Sequence, residues 1–184
     1  MGKRDYDYDF YRFYGRNKRS LKEKIWQPLE LKYMYYFRKC QNSRGLLSAY
    51  YKARLYHLSH ITHIEMDPRM SLGKGFRIMH SGGVIVNSGK IGENIDISPG
   101  VTIGAEIRGK RAGRPTIGNY CWIGKNAVIV GNVNIGNDVL IAANAYVNFD
   151  VPDHSIVIGN PGRIIHRENA TEGYIYNVLK DDDC

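Results

Sequence analysis

From Ile91 to Pro152 the chain places an aliphatic residue, followed by a small one, at intervals of six. Ile91-Gly92, Ile97-Ser98, Ile103-Gly104, Ile117-Gly118, Ile123-Gly124, Ile129-Val130, Ile135-Gly136 and Ile141-Ala142 carry the beat, and Val147 extends it. Four positions after each beat comes a second compact or aliphatic side chain: Ile95, Val101, Ile107, Cys121, Ala127, Val133, Val139, Ala145 and Val151. A helix repeats its buried face about every 3.6 residues and a strand every two, so neither explains six. A hexapeptide repeat does. Three short strands make one coil, and stacked coils form a parallel β-helix with its core along the axis.

The beat breaks once. Ile103 and Ile117 are separated by two hexapeptides plus two residues, and Arg108-Gly109-Lys110-Arg111-Ala112-Gly113-Arg114-Pro115 offers no inward aliphatic side chain. A coil without core residues gains nothing by staying stacked, so residues 108–115 are predicted to leave the wall as an extended basic loop. Upstream, Asp67-Pro68 marks a turn, Met70, Leu72, Phe76 and Ile78 start an irregular first coil, and Val84 and Val86 lead into the regular beat. Downstream the repeat ends near Val151-Pro152-Asp153, followed by a short segment to Arg163 and a polar tail.

The first sixty residues follow helical spacing instead. Ser20 and Glu23 have the spacing of a capping box, and Leu21, Ile25 and Leu29 would share a face, although Pro28 argues for a break near Gln27. Leu31 to Lys39 and Leu46 to Leu58 are predicted helices, the second with Leu47, Tyr50, Tyr51, Arg54, Leu55 and Leu58 on a broad stripe. The expected organisation is a helical segment over 1–60, a β-helix over 61–165 with its loop at 108–115, and a tail over 166–184.

Composition adds the partner class. Residues 1–60 hold 14 Lys or Arg against 5 Asp or Glu and 10 of the 14 tyrosines, whereas the remainder holds 12 against 13. Basic charge interleaved with aromatics suggests an anionic partner, such as an acidic membrane face, or else a solvated helical cap. Nothing points to nucleic acid. No apolar run approaches the roughly 20 residues of a membrane span, the N-terminus lacks the apolar centre of a signal peptide, and three cysteines make no disulfide framework. A cytoplasmic protein, with at most peripheral contact to the inner membrane face, is expected.

Fold alone leaves scaffold, hydratase and transferase open. Glu65-Met66-Asp67-Pro68, Met79-His80-Ser81-Gly82-Gly83, the loop entered at Val101-Thr102-Ile103-Gly104, and Gly159-Asn160-Pro161-Gly162-Arg163 decide among them. Through these elements residues 61–165 resemble the serine O-acetyltransferase-like branch of the hexapeptide acyltransferases. The short helical N-terminus is similar to that of capsular and exopolysaccharide O-acetyltransferases. The resemblance implies a left-handed β-helix, a homotrimer, and direct acetyl transfer from acetyl-CoA. It implies that His80 is the general base, since imidazole titrates near working pH, and that Glu65, where the family more often has Asp, orients it. The pantetheine arm would lie along Gly104, Ala105, Gly124 and Ala142, where small residues allow close approach and backbone N–H groups could serve arm and oxyanion, with Arg163 at its adenine and phosphate end. Arg114 stands where serine acetyltransferases carry a second histidine. An arginine binds carboxylate, phosphate or hydroxyls but does no proton chemistry, which favours a saccharide acceptor, anionic or lipid-linked, in polysaccharide synthesis. Serine O-acetylation, amino-sugar N-acetylation and a non-catalytic scaffold are the alternatives. No metal is expected: His57, His60 and His63 would fan around a helix, and residues 91–151 contain no histidine.

Overall fold

The computed structural model describes residues 5–16, 20, 22 and 26–178. The capping box of Ser20 and Glu23, and the face of Leu21 and Ile25, fall outside these residues. Among the described residues, the helices α1 (Asp5–Tyr14), α2 (Leu29–Gln41) and α3 (Gly45–Thr62) precede the repeat. The repeat then winds into a three-sided β-helix of about five turns. One face carries β1 (Ile64–Met66), β4 (Val84–Val86), β7 (Thr102–Gly104), β10 (Val128–Val130) and β13 (Tyr146–Val147). The second carries β2 (Ser71–Leu72), β5 (Lys90–Ile91), β8 (Thr116–Ile117) and β11 (Asn134–Ile135). The third carries β3 (Arg77–Ile78), β6 (Asp96–Ile97), β9 (Trp122–Ile123), β12 (Val139–Ile141) and β14 (Ser155–Ile158), which turns back antiparallel as β15 (Arg163–His166). The remaining strand pairs are parallel, so each inward residue stacks on its counterpart one coil away.

The six-residue beat fills the core. Each of its nine leading residues, Ile91 to Val147, is at most 3% exposed. The secondary positions are also buried, with one correction: Ile107 is 87% exposed. It falls in the excursion between β7 and β8, where chain leaves the wall and numerical spacing no longer sets direction. Corners need close approach. A Cβ on Gly118 would stand 2.5 Å from the Gly136 carbonyl oxygen, and Gly92 faces Gly118 in the same way.

The excursion is a closed hairpin. Glu106 and Gly113 exchange two backbone hydrogen bonds of 2.9 Å, and the Arg111 carbonyl accepts from Asn132 N–H on the next coil. The loop thus folds down over the wall.

α1 was hidden in the sequence because its Asp-Tyr alternation has a strand period, yet Tyr6, Asp9, Phe10 and Arg12 form its buried helical face. Buried charge fixes these helices to the first coils. Arg38 of α2 holds Asp9 (Nε–Oδ2 2.8 Å) and donates to the carbonyls of Leu72 and Gly73, while Phe76 N–H donates to Asp9. Arg12 and Arg77 both bond Asp96, which is fully buried. Some of the basic charge of the first sixty residues is therefore internal. Among the described residues no helix is long and apolar enough to cross a membrane.

The segment beyond β15 does not trail away. Asp138 accepts from Ala170 N–H and from the N–H and hydroxyl of Thr171, Tyr174 packs on Trp122 (4.8 Å between ring centroids), and the Tyr176 ring lies under Arg77 (4.2 Å). Arg12 Nη1 donates to the Tyr176 carbonyl at 2.6 Å. Residues 170–177 thus run down the third face from the fourth coil to the first and meet α1.

Candidate active site

A pocket of about 700 Å³ opens where α3 meets the first two coils. Three structural devices build it. α3 ends at His63, held in the left-handed region (φ 53°) with its N–H on the Ser59 carbonyl, so the chain turns sharply into β1. The strand β1 alternates buried Ile64 and Met66 with outward Glu65, which therefore faces the pocket. The third device is Pro115, whose carbonyl accepts from Ser88 Oγ (2.7 Å) and Gly89 N–H (2.9 Å). That pins the base of the excursion, and Arg114 and Asn87 line the pocket together.

Charge in the pocket is of both signs. Asp67 and Arg69 are paired, with Arg69 Nη2–Asp67 Oδ2 at 2.7 Å. Hydrogen bonds from Arg69, with the Arg114 charge adding, hold the Asp67 carboxyl below its ordinary range. Glu65 and Arg114 make no ion pair or hydrogen bond among the described residues, so one carboxylate and one guanidinium are left for a ligand. His60 and His63 line the same wall, His60 stacked on Tyr56 with its Nδ1 2.9 Å from the Tyr56 carbonyl. Among the described residues no three His, Cys, Asp or Glu side chains are grouped to hold a metal.

The structure thus joins Glu65 and Arg114. His80 stands apart from the pocket lining, exposed in the corner between β3 and β4. Glu65 pairs in register with Ile85, not with that corner, because the first coil is longer than a spacing of fifteen suggests. His80 and Glu65 accordingly share no hydrogen bond. The corner is secured from elsewhere: Ser81 donates through both N–H and Oγ to Glu30 Oε1, each at 2.6 Å.

The five residues assigned to the cofactor divide. Gly124 and Ala142 stack on one corner of adjacent coils, a Cβ on Gly124 meeting Ala143 N at 2.6 Å. The chain passes above them through Gly159 and Gly162 into exposed Arg163. Gly104, which ends β7, and Ala105, which follows it, lie at the other edge of the first face. The N–H groups of Gly124 and Ala142 bond the carbonyls of Ile141 and Val157, both at 2.8 Å. Ladder pairing engages these two N–H groups within the wall.

Sequence reasoning missed Asp67, Arg69, His63, Glu30 and Tyr33. Only Asp67 and Arg69 carried a local signal, opposite charges two residues apart across a proline turn. Thiol chemistry has no footing at the described cysteines: Cys121 is buried in the core with its thiol pushed up to about 12, and burial also raises Cys40.

Comparison with known proteins adds kinship. The family model described as bacterial transferase hexapeptide (six repeats) matches residues 114–148. The serine acetyltransferase of Bacillus pumilus strain SAFR-032 is 36% identical over 126 residues, 64% of this chain and 58% of that protein. The Helicobacter pylori serine acetyltransferase is 34% identical over 134 residues, 67% of this chain and 77% of that protein. This chain therefore spans little more than half the length of the Bacillus relative. Among solved structures, Brucella abortus strain S19 serine acetyltransferase in complex with coenzyme A is similar with a TM-score of 0.68 at 25% identity, covering 89% of this chain and 65% of that one.

Proposed function

Because this chain belongs to the serine acetyltransferase family, we propose that it transfers acetyl from acetyl-CoA to the hydroxyl of serine or a closely related hydroxy amino acid. The observation that carries the acceptor class is the pocket lined by Glu65 and Arg114, neither of which forms a salt bridge or hydrogen bond through its side chain among the described residues. A zwitterion supplies one charge for each. Arg114 takes the α-carboxylate, and Glu65 takes the acceptor's ammonium.

In this reading His80 removes the hydroxyl proton, the oxygen attacks the thioester carbon, and the tetrahedral oxyanion collapses as the carbon–sulfur bond breaks. The proton then passes from His80 to the departing CoA sulfur, leaving the O-acetyl product and free CoA. Coenzyme A in the Brucella relative supports acetyl-CoA as co-substrate. Gly124, Ala142 and Arg163 are proposed to line its course, with Gly104 and Ala105 on the opposite edge meeting cofactor held against a neighbouring subunit of a homotrimer. Ile85, exposed on the first face beside the pocket, belongs to the surface such an assembly would cover.

The saccharide acceptor expected from Arg114 in place of a second histidine, and from the N-terminal resemblance, is displaced, since the relatives described above are serine acetyltransferases. It is kept as a second reading on one observation: a pocket of about 700 Å³ with Arg114 at its rim has room for more than free serine. Thiol release from acetyl-CoA, measured with L-serine, other hydroxy amino acids and a panel of neutral and acidic sugars, tests both. L-serine is expected to give the highest rate, and Arg114→Ala to raise its KM by about tenfold or more. Turnover confined to sugars would overturn the amino-acid reading.

A further inference from the structure

One face of α2 touches the chain neighbours of both His80 and Glu65. Glu30, in its first turn, takes the N–H and hydroxyl of Ser81, which directly follows His80. One turn further on, the hydroxyl of Tyr33 accepts from Met66 N–H at 3.1 Å, and Met66 directly follows Glu65. Residues three apart on a helix lie on the same side, so a single rigid element holds both points.

Two facts argue that Glu30 does more than dock the helix. α2 is already tied to the first coil by Arg38 on Leu72 and Gly73, and by Gln41 Nε2 on the Met70 carbonyl. The corner that Glu30 reaches continues into Gly82 and Gly83, both at positive φ, and Ser81 is held there through two hydrogen bonds to Glu30. The other contact is permanent. Tyr33 is fully buried and burial pushes its hydroxyl up to about 12, so it remains a neutral phenol, with Ser59 also hydrogen-bonded to it.

We propose that α2 is the template that fixes the corner carrying His80 relative to the strand carrying Glu65, with Glu30 and Tyr33 as positioning residues. This rests on His80 being the base. The helical segment then has a role in turnover as well as in packing, because a general base displaced by about 1 Å loses on the order of 100-fold in rate.

The test uses the full chain, acetyl-CoA and the best acceptor found above. Glu30→Ala is expected to lower kcat by about 10- to 100-fold with the KM for acetyl-CoA unchanged, while Glu30→Gln, which keeps an accepting oxygen, recovers most of the rate. In protein carrying ¹³C-labelled histidine, the His80 ring resonance, identified by its loss in His80→Ala, should be single in the wild type and broadened or doubled in Glu30→Ala. Wild-type rate together with an unchanged resonance in Glu30→Ala overturns the proposal. If that variant does not fold, Ser81→Ala decides in its place: a partial loss of rate with a perturbed ring signal supports the template, and no change in either rejects it. Full activity in His80→Ala instead rejects the base assignment, and the ring resonance still decides whether α2 positions the corner.

Discussion

Asp96 is a buried carboxylate flanked by two guanidiniums, Arg12 from α1 and Arg77 from the first coil. Such a cluster depends on its shared carboxylate, because removing that charge strands two guanidiniums in a low-dielectric site. Asp96→Asn is therefore expected to destabilise the fold by about 3–5 kcal/mol, read as a lower midpoint in urea unfolding with unchanged m-value. An unmoved midpoint would show the two arginines find other partners. At this scale the sequence was partly legible. Glu65 and Arg114 could be named because the resemblance assigned them, Arg114 within the repeat's single break. Glu30 could not, since its bonds cross 51 residues to a corner whose position depends on how far α2 lies along the first coil. Nor could the separation of His80 from Glu65, which follows from the length of an irregular coil.

Among the elements, the corners control the stack. A Cβ at Gly118 would collide with backbone, whereas one at Gly104 would meet only side-chain methyl carbons at 4.0 Å. Gly118→Ala should cost about 1–3 kcal/mol in thermal or urea unfolding, and Gly104→Ala should leave stability within about 0.5 kcal/mol. Equal losses in the two variants would refute the close-approach account. The same pair separates wall from ligand: a change in acetyl-CoA affinity in folded Gly104→Ala reports on the cofactor's course alone. The wall was the most legible part of the chain, because a period of six has one structural solution. Its exceptions, Ile107 turned outward and α1 concealed by Tyr/Asp alternation, arise where a second geometry shares the same spacing.

Over the whole molecule, residues 170–177 tie distant coils together through Asp138. Burial raises that carboxyl, but hydrogen bonds from Thr171, His154 and Ala170 outweigh it and leave it below its ordinary 3.8. A depressed carboxyl stabilises fully above 3.8, and its contribution is lost as pH falls through the lower native value. His154, its Nδ1 2.9 Å from Asp138, is raised chiefly by that hydrogen bond, so its contribution is complete below 6.5 and lost as pH rises through the higher native value. The segment should hold tightest between these limits. Trp122 reports it through its contact with Tyr174, in a Trp26→Phe background that removes the exposed second tryptophan. Emission is expected to change on the acid side before the helices or the coils unfold, and a flat response there would refute the assignment.

The contact between Arg12 and Tyr176 spans 164 residues of chain. The coils beneath it join neighbours one turn apart and can assemble by zipping, each closure short and fast. Closing so long a loop gains little until the coils it crosses exist, so this contact belongs to the last stage of folding. Loss of the segment's side-chain contacts, Thr171 on Asp138 or the Tyr176 ring on Arg77, should therefore appear in one limb of a chevron. Thr171→Ala or Tyr176→Ala is expected to speed unfolding and leave the refolding rate nearly unchanged, making the segment a brake on opening rather than a guide to assembly.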